Sequence, residues 1–347
     1  MRKVSVIGYG TIGKRIADAI RLVDDIELIG IGVRTANASI MRAHLKNIDV
    51  YCTDDSRRQG FVQTSIPLRG DLHDLLSKSD IVVDCTQSGY GKTRLSLYKK
   101  YGVKAIFQGG EKHDTTNFTY STFGNFYEFP EQDFIRVGSC NTTGIVRLAS
   151  ALKEYGIEFM DTSIVRCTTD PDKANKGILN GVKPTFGVSH HGPDAQQVIS
   201  DLSIYTQAVA VPMYNGHLQM HSITLTNAPD KSELVHKLNN YPRIVINDGE
   251  FGKDSNQIAN TMDHLGRLRG DRPEIMIWED SIDIRDNKIH LISSIDMQSI
   301  TIPETIDCIK KTINPTLDIE QCVFETDVSL RLFGNKNYKF LKKESVV

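Results

Sequence analysis

Over the first 140 residues, short β-branched runs alternate with stretches in which apolar positions recur at helical spacing. Val4-Ser-Val-Ile7 runs into Gly8-Tyr-Gly10-Thr-Ile-Gly13, after which Ile16, Ala17, Ile20 and Leu22-Val23 return every three or four residues. Ile26 to Val33 is a second β-branched run, so strand, glycine turn, helix and strand fill about thirty residues, the length of a right-handed parallel crossover. Further strands are predicted at Ile81–Asp84 and Val103–Phe107, each preceded by a helix-like segment at Asp71–Lys78 and Lys92–Tyr101. A strand at Phe134–Gly138 leads through Ser139-Cys-Asn-Thr-Thr-Gly144 into a helical stretch, Ile145–Tyr155. Such alternation predicts an α/β fold, a Rossmann-type doubly wound parallel sheet.

After residue 155 the pattern changes to longer strand-like segments, Glu158–Thr168, Ala208–Pro212, Gln219–Thr226 and Ile289–Ile295, separated by extended loops. This predicts an α+β domain with a mostly antiparallel sheet. The stretch Thr169–Pro193 shows little periodicity, and loops of that length in compact domains are often functional. Pro303-Glu304 starts a helix with Ile306, Ile309 and Ile313 on one face. The expected organisation is therefore a Rossmann-type domain over 1–139, a second domain over 140–302, and a helix and tail over 303–347 that pack back on the first.

Composition narrows the function classes. The 347 residues are 39% hydrophobic and 24% charged, with 43 acidic against 41 basic residues and a net charge of −2. No basic stripe is present to meet a phosphate backbone, which argues against nucleic acid as the principal partner. No apolar run reaches the roughly 18 residues of a membrane span, and the N-terminal run is too short for a signal peptide, so a cytoplasmic protein is expected. Six cysteines lie far apart without a C-x-x-C pair, so neither a zinc site nor a structural disulfide is expected.

Gly8, Gly10 and Gly13, with Thr11 and Ile12 between them, match G-x-G-x-x-G, whose glycines allow a tight turn, close approach of a pyrophosphate and contact of helix with strand. An NAD-selective site commonly ends its second strand with a carboxylate for the ribose hydroxyls. Here that strand ends Gly32-Val33-Arg34-Thr35, and Arg34 favours the 2′-phosphate of NADP, although an exposed arginine is also an ordinary solubilising residue. Cys140 stands at the carboxyl end of a strand and the start of a helix, where helix amides and a nearby histidine favour a thiolate nucleophile.

Four motifs occur in order: Gly8-Tyr-Gly-Thr-Ile-Gly-Lys14, Gln108-Gly-Gly-Glu-Lys112, Ser139-Cys-Asn-Thr-Thr-Gly144 and Ser189-His-His-Gly-Pro-Asp194. With Asp170-Pro171, Leu265-Gly-Arg-Leu-Arg269, Trp278-Glu-Asp-Ser281 and Ile302-Pro-Glu-Thr-Ile-Asp307, the chain resembles the archaeal-type (type II) glyceraldehyde-3-phosphate dehydrogenase family over nearly its whole length. The resemblance implies a Rossmann domain followed by a catalytic domain, a homotetramer, and NADP or NAD as cofactor. It also implies a phosphorylating aldehyde dehydrogenase of glycolysis or gluconeogenesis. In that reaction Cys140 forms a thiohemiacetal with glyceraldehyde 3-phosphate, hydride passes to the nicotinamide, and phosphate releases the thioester as 1,3-bisphosphoglycerate. By the same resemblance Gln108, Gly109, Gly110 and Gln298 fall on the cofactor, and Ser139, Asn141, Thr142, Thr143, Arg166, His190 and His191 on the substrate and phosphate.

Three stretches depart from the family. Its Pro-x4-His-Met-His is replaced by Pro212-Met-Tyr-Asn-Gly-His217-Leu-Gln-Met-His221, so the general-base position is His217 counted from the proline and Gln219 counted back from His221. His217 is the favoured candidate, since a glutamine cannot exchange a proton at neutral pH; two extra residues forming a bulge would leave the base missing. Two adjacent arginines usually found before Ala-Ala-Asp reduce to Arg166 in Val165-Arg-Cys-Thr-Thr-Asp170, with Lys173, Lys176 or Lys183 as alternative sources of charge. Ile295-Asp-Met-Gln-Ser299 replaces Val-His-Gln-Glu-Ser. The alternatives are a related semialdehyde dehydrogenase or acyl-phosphate reductase acting on another anionic aldehyde, and a non-catalytic nucleotide-binding paralogue.

Overall fold

The computed structural model describes residues 1–108, 110–167, 180–213 and 215–333. The chain divides into two compact units: Met1–Tyr120, Phe129–Val137 and Thr305–Leu317 form the first, and Ser121–Glu128, Gly138–Glu304 and the chain from Asp318 onward form the second. The expected contiguous division is thus interrupted, because residues 121–128 join the second unit and residues 305–317 the first. The chain from Asp318 also differs from expectation: Asp327 forms an ion pair with buried Arg243, which ties that segment to the second unit.

The first unit contains β1 (Arg2–Ile7), α1 (Thr11–Ile20), β2 (Ile26–Val33), α2 (Ala38–Leu45), β3 (Val50–Cys52), α3 (Arg58–Gln63), β4 (Gly70–Asp71), α4 (Leu72–Leu76), β5 (Ile81–Asp84), α5 (Tyr90–Tyr101), β6 (Lys104–Phe107), β7 (Thr119–Tyr120) and β8 (Phe134–Val137). Its sheet runs β4-β3-β2-β1-β5-β6-β8-β7 with every pair parallel. Buried β-branched residues on both faces of β1 and β5 explain the continuous apolar runs seen in the sequence. Strand order reverses between β1 and β5, which opens a crevice beyond their carboxyl ends. The strands β3, β4 and β7, of two or three residues each, are too short to leave a periodic signal.

The second unit contains α6 (Thr122–Asn125), α7 (Cys140–Leu152), β9 (Ile157–Cys167), β10 (Lys183–Pro184), α8 (His191–Gln196), β11 (Ile204–Val211), β12 (His217–Leu225), α9 (Lys231–Asn240), β13 (Ile244–Asn247), α10 (Ser255–His264), β14 (Ile275–Trp278), β15 (Asp283–Arg285), β16 (Lys288–Ile295) and α12 (Ile319–Ser329); α11 (Thr301–Ile313) runs across the division. Its sheet, β10-β11-β9-β12-β16-β14-β13 with β15 on β16, is parallel at β11–β9 and β13–β14 and antiparallel elsewhere.

Helix α7 is buried along nearly all of its length and carries Arg147 in its middle. Arg147 donates to the carbonyls of Pro273 (2.8 Å) and Arg243 (3.1 Å) and to Glu304 Oε1 (3.0 Å). Glu304 also accepts the Thr122 N–H at 2.7 Å, and Arg243 Nε donates to Asp327 Oδ1 at 2.7 Å. A buried guanidinium is tolerated there because carbonyls and carboxylates replace the lost water. Among the described residues, no helix is long and apolar enough to cross a membrane.

Candidate active site

In the first unit, Gly8 has φ +88°, and its amide donates to Gly32 O at 2.8 Å, so the turn leaves β1 sharply toward α1. A Cβ on Gly13 would overlap the Gly8 carbonyl oxygen, whereas one on Gly10 would meet nothing within 4 Å. Gly13 is therefore needed for packing, and Gly10 borders open space. No side chain caps the start of α1. A glycine cradle at an uncapped helix N-terminus fits a dinucleotide pyrophosphate.

Arg34 and Thr35 follow β2 directly and are exposed, in line with Thr53-Asp54 at the end of β3, where Thr53 N–H donates to Val33 O at 2.9 Å. The Ser56 hydroxyl above all holds the Asp54 carboxyl below its ordinary range, with smaller contributions from Arg57 and Arg34. Gln108 directs its Nε2 to Thr305 Oγ1 at 2.6 Å, so its amide also ties residue 305 to this unit; Gly110 lies beside Ser88, and Gly109 lies outside the described residues.

In the second unit, Ser139 is the N-cap of α7 and Cys140 its first residue. Ser139 Oγ accepts the Thr142 N–H at 3.4 Å, lies 2.8 Å from Thr142 Oγ1, and is 3.4 Å from His191 Nδ1. Thr143 Oγ1, Ser189 Oγ and His191 Nε2 are buried without a hydrogen-bond partner among the described residues. Three orphaned polar atoms on residues at the start of α7 and beside α8 suit an anionic ligand, since each costs free energy until something binds it. Arg166, near the end of β9, is half-buried; the His190 and His191 rings have centroids 3.9 Å apart and are tilted 44° to each other.

Burial pushes the Cys140 thiol up to about 11; the Asn141 N–H and the Arg166 guanidinium favour its thiolate, and the Asp296 carboxylate opposes it. The helix-start effect expected from the sequence is present, but desolvation outweighs it. Burial also keeps the imidazoles neutral, lowering His191 to about 2, helped by His190 and Arg166, and His217 to about 3, helped by Arg166.

Strand β12 pairs without interruption from His217 to Thr224 against β16, and its register with β9 shifts only at Thr224/Leu225. It has no bulge near the site, and strand alternation buries His217, Gln219 and His221 on one face. Their surroundings differ. Cys167 N–H donates to His217 Nδ1 at 3.0 Å; because a backbone amide can only donate, the neutral ring carries its proton on Nε2. His221 is held in the sheet by Thr162 Oγ1 (3.0 Å) and Ser293 Oγ (3.3 Å). Gln219 Nε2 donates to Asn141 O (2.9 Å) and Asn141 Oδ1 (3.0 Å).

Asp296 and Arg272 join this neighbourhood without a clear signal in the sequence. Asp296 accepts the Arg272 N–H (3.2 Å), the Gln298 N–H (2.9 Å) and the Ser299 hydroxyl, and Arg272 Nη2 donates to Ser294 Oγ at 2.9 Å. Cys167 donates its thiol to Gly216 O at 2.8 Å. Lys183 is exposed on β10, while Lys173 and Lys176 lie outside the described residues, as does most of the stretch that begins at Thr169.

Residues 139–264 match the family described as Glyceraldehyde 3-phosphate dehydrogenase, C-terminal domain, and residues 2–119 match Dihydrodipicolinate reductase, N-terminus. The chain is 38% identical over 336 residues to a glyceraldehyde-3-phosphate dehydrogenase of Sulfolobus acidocaldarius, with 95% of each chain covered. The chain belongs to the glyceraldehyde-3-phosphate dehydrogenase family. Relatives from Methanobacterium formicicum (36% over 330 residues, 92% of this chain and 98% of the relative) and Pyrobaculum calidifontis (37% over 341 residues, 96% and 98%) carry the same name. Membership makes the chain an oxidoreductase whose first unit is an NAD(P)-binding Rossmann domain, in agreement with the glycine cradle.

Proposed function

We propose that this chain oxidises glyceraldehyde 3-phosphate with inorganic phosphate, preferring NADP to NAD. The observation that carries the reading is Cys140 at the first position of α7, beside orphaned polar groups, in a chain similar along its length to dehydrogenases of that name. Cys140 as thiolate attacks the aldehyde carbon, and the resulting alkoxide is met by His217 Nε2–H and the amides at the start of α7. NADP, which the glycine turn of Gly8, Gly10 and Gly13 would hold, would supply the acceptor for the hydride of that carbon. Phosphate then attacks the thioester, losing its own proton and expelling the Cys140 thiolate, so the overall step releases acyl phosphate and one proton. His217 enters as a neutral donor rather than the expected base, because its Nδ1 is occupied by Cys167 N–H. Ser139, Thr142, Thr143, His190, His191 and Arg166 hold the phosphate groups.

Arg34, beyond the end of β2, supports NADP through its 2′-phosphate. Phe159, Tyr205 and Met220, 41%, 39% and 40% exposed on the outward face of β9, β11 and β12, support self-association, and we place the protein as a homotetramer. All six cysteines are free, in keeping with a reducing cytoplasm. One observation favours a second reading: Cys167 stands where the family's second arginine does, which suits a semialdehyde with a single anionic group.

A panel of anionic aldehydes assayed with NADP and NAD, with and without phosphate or arsenate, separates these readings. Phosphate-dependent NADPH formation from glyceraldehyde 3-phosphate, with an acyl adduct on Cys140 by intact mass and loss of turnover in Cys140→Ser, is expected. Absence of any adduct, together with an active Cys140→Ser protein, overturns the assignment.

A further inference from the structure

Gln219 occupies one of the two registers open to the family's histidine, and its contacts show what it does instead. The backbone carbonyl of Asn141 can only accept, so the group facing it at 2.9 Å must be Gln219 Nε2. The same nitrogen reaches Asn141 Oδ1 at 3.0 Å, which turns the Asn141 Nδ2 group to the opposite side of its carboxamide. Approach this close depends on Gly144, where a Cβ would come within 3.0 Å of Gln219 Oε1 and 2.8 Å of Ile295 Cδ1. Asn141 is the residue after Cys140 in the first turn of α7, and its backbone N–H favours the Cys140 thiolate.

We propose that Gln219 is a positioning residue of this reaction: by binding both oxygens of Asn141 it fixes the first turn of α7, and with it the place of the adjoining Cys140. This rests on the active-site reading above. The charged or titratable groups that act on that sulfur are Arg166 and Cys167 from β9 and Asp296 after β16; His217 from β12, His191 from α8 and Arg272 before β14 act in turn on members of that set or on one another. None of them donates to Asn141 among the described hydrogen bonds, so Gln219 acts on the thiol by a separate route.

The test uses the full chain, the pH dependence of Cys140 alkylation by iodoacetamide, and steady-state kinetics. In Gln219→Leu, which keeps bulk and loses both bonds, alkylation at neutral pH should slow about three- to tenfold and its profile should move to higher pH. The kcat should fall by a similar factor, with KM for glyceraldehyde 3-phosphate changing about twofold or less. Gln219→Glu, of equal size, should change in the same direction, because its carboxylate would face two acceptor oxygens. Unmoved profiles and kcat in both variants, each folded by circular dichroism, would overturn the proposal. If wild type still forms its acyl adduct on Cys140 in that case, the positioning role alone fails; if no adduct forms on Cys140 at all, the active-site reading beneath it fails.

Discussion

The four buried charges that anchor α7 allow a quantitative test of the second unit. Arg147, Arg243, Glu304 and Asp327 are almost fully buried and sum to zero charge. Arg147→Met leaves Arg243 between two carboxylates, a net −1, and frees the carbonyls of Arg243 and Pro273 of a donor. Glu304→Gln leaves two guanidiniums and one carboxylate, a net +1. Each variant strands a charge away from water, which costs about 3–5 kcal/mol. The double variant is neutral again, because Arg243 keeps Asp327 at 2.7 Å. Its loss should therefore fall short of the sum of the single losses by about 2 kcal/mol or more. Trp278 is the one tryptophan and sits on β14 of the same unit, so its fluorescence during urea unfolding reads the relevant transition. Single losses below about 1 kcal/mol, or an additive double variant, would refute the network as an anchor.

The same carboxylate predicts acid sensitivity. Burial acts to raise the Glu304 carboxyl, but Arg147, Arg243 and the Thr122 N–H outweigh it and hold it below the ordinary range. Its contribution is therefore fully present above the unfolded value of about 4.3 and is lost as pH falls through the lower folded value, so wild type should lose a component of acid-range stability that Glu304→Gln lacks. Gly13→Ala should weaken NADP binding about ten- to a hundredfold by forcing its Cβ against Gly8 O, while iodoacetamide labelling of Cys140 is retained; unchanged binding by calorimetry would contradict the cradle. Arg34→Ala should weaken NADP about tenfold or more and NAD about twofold or less, and equal losses by titration would reject the 2′-phosphate assignment. With its thiol pushed up to about 11, Cys140 in the free protein should alkylate about tenfold faster for each pH unit between 7 and 10; a plateau below pH 8 would count against the burial argument.

What could be read from the residue order was local. Gly8, Gly10 and Gly13 mark the nucleotide turn because their need for open backbone space is set within six residues, and the apolar runs of β1, β2, β5 and β6 mark a parallel sheet buried on both faces. Ser139-Cys140 marks a helix start because capping depends on adjacent residues. Distance along the chain hid the rest. Strands β3, β4 and β7 exist because longer neighbours supply their hydrogen bonds, and residues 121–128 and 305–317 join units that no sequence boundary announces. Two alignments of the β12 histidines were open on paper, with His217 favoured for its chemistry alone. Pairing with β9 and β16 settled that the strand is extended and buries three side chains together, and tertiary neighbours then separated them: Cys167 N–H takes His217 Nδ1, and Asn141 takes Gln219. Even the sulfur at the helix start follows this rule. Its place was written in the six residues Ser139 to Gly144, but its protonation is governed by desolvation, which depends on everything packed around it.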